Sequence, residues 1–397
     1  MKNIRILICV IALMIISFLS IYSSTFILSS NYKYIHIKQL FWYFIGFVII
    51  FVLFKKKKEF FYKYDKLLYI LGNLLLLLVL FFGTETNGAK AWFTLPGIGS
   101  FQPSEFMKII LIIVLAKQLN YNKEEKKTLK NEIIIILKCF VLVLIPSILT
   151  FLEPDTGNVI IYFVILLVML FTFGIRYRWF IISFIIIGIF TFIFLYIYFY
   201  KKDVFISIFG TNFFYRMDRI LDWKNKEGMQ LENALASIGS APLFGYGLTK
   251  TPLYFPEAQT DFISSIFICN FGYIVSIIFL LFLLFFDISL IMIGIKQKEI
   301  NKYLMSGIIG VIVFQQIQNI GMNIGLLPIT GVTLPFISYG GSSLISYMIL
   351  IGLIFNINKK HLKWDIYFLI KEYNIFTSFI DNFLYFPDCK LPKLREP

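Results

Sequence analysis

The sequence predicts an all-α polytopic membrane protein of about ten transmembrane helices. Both termini are expected in the cytoplasm, with one large external loop between helices 7 and 8. Three observations carry this expectation. Of 397 residues, 58% are hydrophobic and only 15% are charged, against roughly 25% charged in soluble domains. The apolar residues gather into runs, many of them near the roughly 20 residues that a membrane-spanning helix needs. The 37 Lys and Arg residues sit in short clusters between those runs, a distribution that suits membrane topology better than a nucleic-acid-binding face.

The runs are, in order, Ile4–Leu28, Leu40–Phe54, Leu67–Phe82, Phe106–Leu119, Ile133–Phe151, Val159–Ile175, Phe180–Tyr200, Phe262–Ile295, Leu304–Ile320 and Ser343–Ile357. The first has the look of a signal peptide but no small-residue cleavage site, and is read as retained. Ten spans leave both ends on one side. Basic residues choose that side: the N-terminus, Lys55–Lys58, the connection Lys117–Lys130, Arg176 with Arg178, Lys296–Lys302 and the tail from Lys359 alternate with segments that are poor in Lys and Arg outside one long loop. Positive charge resists translocation, so the rich set is cytoplasmic. Trp42, Trp92, Trp179, Trp223 and Trp364 all fall in connections or at span ends, where amphipathic rings prefer to sit. The expected organisation is a membrane domain over residues 1–358, containing the external loop 201–261, and a cytoplasmic tail over 359–397. The tail is aromatic and basic enough to lie on the inner membrane surface.

The four cysteines are far apart and only two histidines are present, so no Cys or His metal site is indicated. Chemistry is expected outside, where four connections are rich in polar and turn-forming residues. In the first, Pro103-Ser104-Glu105 is a helix-start signature. Glu105 and Lys108 are three apart and share a helix face, either as a pair that neutralises two charges entering the membrane or as part of a site. Next, Glu153-Pro-Asp-Thr-Gly breaks one span, and Asp155 or Thr156 can cap the next. The long loop carries Tyr215-Arg-Met-Asp-Arg219 and Gln230. Arg216 and Arg219 are suited to bidentate phosphate binding, or are simply solvated. The loop ends in Tyr254-Phe-Pro-Glu-Ala-Gln-Thr-Asp-Phe-Ile263, which sets Thr260 and Asp261 at the border of a long apolar run. Glu257 reads as a solvated loop residue. The last external stretch, Asn319–Ser343, is too rich in Gly and Pro for continuous helix, and irregular backbone at membrane depth must be buried in protein or line a wet cavity.

Together these stretches resemble the SEDS family of bacterial cell-wall glycosyltransferases (shape, elongation, division and sporulation). The resemblance runs from the first helix to about Asn358 and is most specific over Phe101–Lys108, Pro256–Ile263 and Gly325–Ser343. Tyr215-Arg-Met-Asp-Arg-Ile and the Asn319-Ile-Gly-Met lead-in look most like the rod-shape elongation branch. The resemblance implies polymerisation of lipid II, a disaccharide-pentapeptide on undecaprenyl pyrophosphate, at the outer face of the bacterial cytoplasmic membrane. It also implies help from a divalent cation, Mg²⁺ or Mn²⁺, and a class B penicillin-binding protein as partner; no nucleic acid is expected. Asp261 matches the family's essential acid, and Glu105 with Lys108 matches a charged pair. Four positions depart from the pattern: Ala91 stands where a basic residue is common, Ala241-Pro242 near a Gly-Gly pair, Gln259 where His is frequent, and Asn270 near an acid.

Joining sugars here means displacing lipid pyrophosphate by a sugar hydroxyl. That hydroxyl needs a base, and the departing pyrophosphate needs positive charge. Asp261 is cast as the base. Arg216, Arg219 or Lys108, or the bound cation, would meet the pyrophosphate, and Glu105, Gln230, Thr260 and Ser338 complete the expected substrate contacts. Two other readings remain: a lipid II flippase, which should show broken helices and ionisable residues near the midplane, and a non-catalytic scaffold for a transpeptidase.

Overall fold

The fold was taken from a computed structural model, which describes residues 2–57, 59–86, 89–95, 99–124, 128–210 and 229–359. Lipid offers the backbone no hydrogen-bond partner, so apolar runs in it become helices that satisfy themselves. Among the described residues, eight such helices are long and apolar enough to cross a membrane: α1 (Lys2–Ser24), α2 (Ile35–Lys55), α4 (Asp65–Phe82), α6 (Leu129–Leu152), α7 (Thr156–Phe173), α8 (Tyr177–Tyr200), α11 (Ile263–Gly294) and α12 (Glu299–Asn323). Two more complete the expected ten. They are α5 (Pro103–Tyr121), which carries Glu105, Lys108 and Lys117, and the shorter α13 (Gly341–Ile357). Short helices α3 (Glu59–Lys63), α9 (Lys202–Phe209) and α10 (Met229–Gly239) lie in connections. The tail from residue 360 lies outside the described residues.

Polar contacts between distant segments sort by side, as the charge reading requires. At the cytoplasmic end Lys117 Nζ reaches Asp65 at 2.6 Å and the Tyr62 carbonyl at 2.8 Å. Gln297 donates to Asn358, and Asn356 donates to the carbonyls of Leu53 and Lys56. At the outer end Thr249 N–H donates to Ser23 and Tyr339 N–H to the Gln259 carbonyl. Helices α5, α12 and α13 are largely buried, whereas Tyr198 is the one buried residue of α8.

Two features were not expected. The connection before α5 forms a small antiparallel sheet, β1 (Thr84–Thr86), β2 (Ala89–Leu95) and β3 (Gly99–Phe101), with β2 central. It rests beside α13, where Ser342 donates to the Ser100 carbonyl and Trp42 packs on Gly341. The second is a break in α11 at Gly272, whose φ of 79° takes it out of helical geometry. The outer loop fills the gap. Tyr246 and Gly247 N–H donate to the carbonyls of Cys269 and Asn270 at 3.0 Å each, and Ile274 N–H donates to Leu243 at 3.2 Å. The backbones of Gly245 and Gly272 touch there, which leaves no room for a Cβ on either. Asn270 is stitched into the same joint through Thr251 and the Lys250 N–H, so this neutral residue builds structure. About 22 residues follow Gly272, roughly 33 Å of helix, enough to cross the bilayer alone. The outer part, Ile263–Phe271, is thus a separate half-helix, and Asp261 lies just before it.

Candidate active site

Two amides on α12 hold the Asp261 backbone. Asn319 Nδ2 donates to the Asp261 carbonyl at 2.9 Å and to that of Val332 at 2.8 Å, while Asn323 Nδ2 donates to Asp261 at 2.8 Å. Both amide oxygens are used in turn: Ser264 donates to Asn319, and the N–H and hydroxyl of Ser265 donate to Asn323. Buried amides must find such partners, and satisfying all of them fixes where the Asp261 side chain begins. The carboxylate faces the irregular segment before α13. A Cβ on Gly331 would come 3.7 Å from Asp261 Oδ2, and Gly331 has a φ of +68°. Crowding by protein pushes the Asp261 carboxyl up to about 7; burial is the main cause, followed by the charges of Glu257 and Asp155. A carboxylate near 7 is a far better base at neutral pH than one near 3.8.

Across that segment lies the corner between α6 and α7. Gly157 packs so tightly on the Thr330 carbonyl that an added Cβ would clash at 2.7 Å, which brings the corner against the wall beside Asp261. Asp155 is its hub. Its Oδ1 accepts from Asn158 N–H at 3.1 Å, capping α7 as the sequence allowed. Its Oδ2 accepts from Gln102, Ser104 and the Asn158 amide at 2.8, 2.9 and 2.8 Å. Beside it Glu153 is fully buried, and neither of its carboxylate oxygens has a hydrogen-bond partner. Burial, and then the charge of Asp155, push the Glu153 carboxyl up to about 9.

The expected Glu105–Lys108 pair forms, at 2.7 Å, with Pro103 in the first turn of α5. Ser346 donates to Glu105 Oε2, and the Lys108 ammonium lies 5.5 Å from the centre of the Tyr347 ring. Lys108 is only 1% exposed. This corrects one expectation: Lys108 neutralises Glu105 inside the bundle and is not free to meet pyrophosphate. Gln230, Thr260 and Ser338 also support structure. Gln230 braces the Pro256 carbonyl, Thr260 donates to Glu257 Oε2 at 2.6 Å, and Ser338 donates to the Thr260 carbonyl while accepting from Leu334 N–H. Glu257 is a second correction, because it accepts from Thr260 and Gln259 and acts on Asp261 rather than standing in solvent. Arg216 and Arg219 lie outside the described residues. Sequence reasoning missed Asn319, Asn323 and Glu153. The Asn pair had a readable signal, two amides four apart in an apolar run and therefore on one helix face.

Among the described residues no three His, Cys, Asp or Glu side chains stand close enough to hold a metal on their own. Mg²⁺ sites commonly need only one or two carboxylates, with substrate phosphates and water completing the shell. Glu153, Asp155 and the unpartnered Asn158 Oδ1 fit that smaller requirement.

Comparison with known proteins now decides the family. The family described as "Cell cycle protein", which groups FtsW, RodA and SpoVE, matches residues 3–363. The chain belongs to the SEDS family. It is 35% identical over 343 residues to the "Probable peptidoglycan glycosyltransferase FtsW" of Wigglesworthia glossinidia brevipalpis, covering 82% of this chain and 84% of that protein. It is 31% identical over 325 residues to "Stage V sporulation protein E" of Bacillus subtilis, covering 75% and 79%. The fold is shared with Thermus thermophilus rod shape determining protein RodA (TM-score 0.63, 24% identity, 89% of this chain and 96% of that chain). It is shared too with a chain solved in work on "polymerization and crosslinking by a peptidoglycan synthase complex" (TM-score 0.72, 23% identity, 89% and 97%). The relatives matched in sequence here carry division and sporulation names, while a rod-shape name appears among the structural neighbours. This SEDS protein is therefore a multi-pass protein of the bacterial cytoplasmic membrane.

Proposed function

We propose that this SEDS protein is a peptidoglycan glycosyltransferase that polymerises lipid II into glycan strands at the outer membrane face. The observation that supports it most is a carboxylate, Asp261, held rigidly by two α12 amides and raised to about 7. In the reaction Asp261 takes the proton from the attacking sugar hydroxyl as the new glycosidic bond forms. The bond to the lipid pyrophosphate breaks on the opposite face of the sugar, as inversion requires. Asn319 and Asn323 keep the base in place, and Glu257 and Asp155 keep its affinity for a proton high. A divalent cation at this face would supply positive charge to the departing pyrophosphate; Arg216 and Arg219 are the side chains proposed to share that task.

The names of the sequence relatives favour a role in division over the elongation role suggested by Tyr215–Ile220. A class B penicillin-binding protein is the partner proposed to crosslink the strands. The flippase reading gains a broken helix at Gly272, yet that gap is filled by the protein's own loop. Of the ionisable residues inside spans, Asp287 of α11 is buried and accepts from Gln316 at 3.1 Å, and the charged pair of α5 sits in its first turns, away from mid-membrane. Incubating the purified protein with lipid II and Mg²⁺, with no other glycosyltransferase present, should yield glycan strands; movement of lipid II across liposomes without strands would favour transport.

A further inference from the structure

We infer that the α6–α7 corner is the site of the divalent cation, held by Glu153 and Asn158 beside Asp155, and that Asp261 is not one of its ligands. The inference rests on the proposed function only in naming the pyrophosphate as a further ligand. Its first support is a count of donors. Asp155 accepts four hydrogen bonds, three at Oδ2 and one at Oδ1. Glu153 next to it has two fully buried oxygens with no donor, and the Asn158 Oδ1, on an amide whose nitrogen is bonded to Asp155 and Ser104, is buried and unpartnered as well. Unpaired buried acceptors are costly. These three belong to residues on either side of Asp155, and a small cation would give them a partner.

The second support is charge balance. Lys108, the only buried Lys or Arg among the described residues, is already committed to Glu105. No ion pair is formed by Asp155 or Glu153 among the described residues. This corner therefore holds two acids with no base paired to either among the described residues, although the proposed leaving group is itself anionic. Hard oxygen ligands of this kind suit Mg²⁺ or Mn²⁺. Glu153 and Asn158 would supply two such oxygens, and water and pyrophosphate oxygens would supply the rest, which accords with the lack of a three-acid cage among the described residues. The packing of Gly157 on Thr330 places the corner against the wall that faces Asp261, so a cation there is near the base without being bound by it.

Mn²⁺ binding to the purified full-length protein, followed by electron paramagnetic resonance without lipid II, tests this. Wild type and Asp261→Asn should each bind one Mn²⁺ with similar affinity, competed by Mg²⁺. Glu153→Gln should weaken it by roughly 10–100-fold or more, and Asn158→Ser by about 10-fold, the range of losses seen when metal surroundings are altered. Melting curves check that each variant is folded; if Glu153→Gln does not fold, Asn158→Ser decides. Unchanged Mn²⁺ binding in the folded variants, or loss of binding in Asp261→Asn, overturns the inference. Polymerisation by wild type is scored separately, so either result leaves the proposed function to its own test.

Discussion

The two ends of the helical bundle treat charge in opposite ways. At the cytoplasmic end each buried acid has a base or donor beside it: Asp65 has Lys117 at 2.6 Å, and Glu132 has Arg176 at 3.3 Å and the Trp179 indole at 2.9 Å. At the outer end Glu105 keeps a base, Lys108, but Asp155 is wrapped in neutral donors, Glu153 has none, and Asp261 is raised by burial and then by other acids. Paired charges cost little and hold connections in register. Unpaired acids lower stability, and a protein keeps them where a proton or ligand will be handled. The inner end is construction and the outer end is equipment.

The first way to break this contrast lies in stability. Lys108→Met would leave Glu105 as a buried charge without its partner, and should cost about 3–5 kcal/mol, read as a large fall in melting temperature. Asp65→Asn, whose partner Lys117 is 41% exposed, should cost about 1 kcal/mol or less. Equal losses would erase the distinction.

The next effect is on rate. Asp261 acts as a base only when ionised, and its raised carboxyl is ionised above about 7. Polymerisation should therefore fall as pH drops through that value, approaching about tenfold per unit well below it. A flat profile down to roughly pH 5, near an ordinary carboxyl, would remove the desolvated base.

A smaller effect is expected at Gly331. Replacement by Ala forces a side chain into φ +68°, costing about 1–2 kcal/mol, and should slow polymerisation more than it lowers binding. The smallest is at the inner end, where Arg176→Gln should leave the rate per folded molecule unchanged. A clear loss of rate there would mean that the inner contacts do more than hold connections.

Much of this architecture was legible in the sequence. Lengths of apolar runs gave the ten helices, and Lys and Arg clusters gave the sides, because both are dictated by lipid rather than by packing. Asp261 and the Glu105–Lys108 pair were legible because charge at a lipid border needs a reason. Other features depended on contacts between distant segments. The break at Gly272 could not be read, since one glycine in an apolar run is ordinary and its partner, Gly245, is far off in the chain. Glu257, only four residues before Asp261, was set aside for a different reason: the local turn that brings its charge to bear, closed by Thr260 and Phe262 N–H on the Glu257 carbonyl, was not read. The sheet did leave a trace that was passed over: Asn87-Gly88, between the sequences of β1 and β2, is a strong hairpin signal.

Asp261→Asn carries the account. The variant should fold, and at pH 8 it should melt no lower than wild type. The Asp261 carboxyl is held above its unfolded value, so ionising it costs the fold stability; the loss begins as pH rises past the unfolded value and is complete above about 7. The measurement is the rate of lipid II polymerisation by this folded variant beside wild type. A loss of roughly 100-fold or more is the predicted result; strands made at the wild-type rate would contradict the claim that Asp261 is the base.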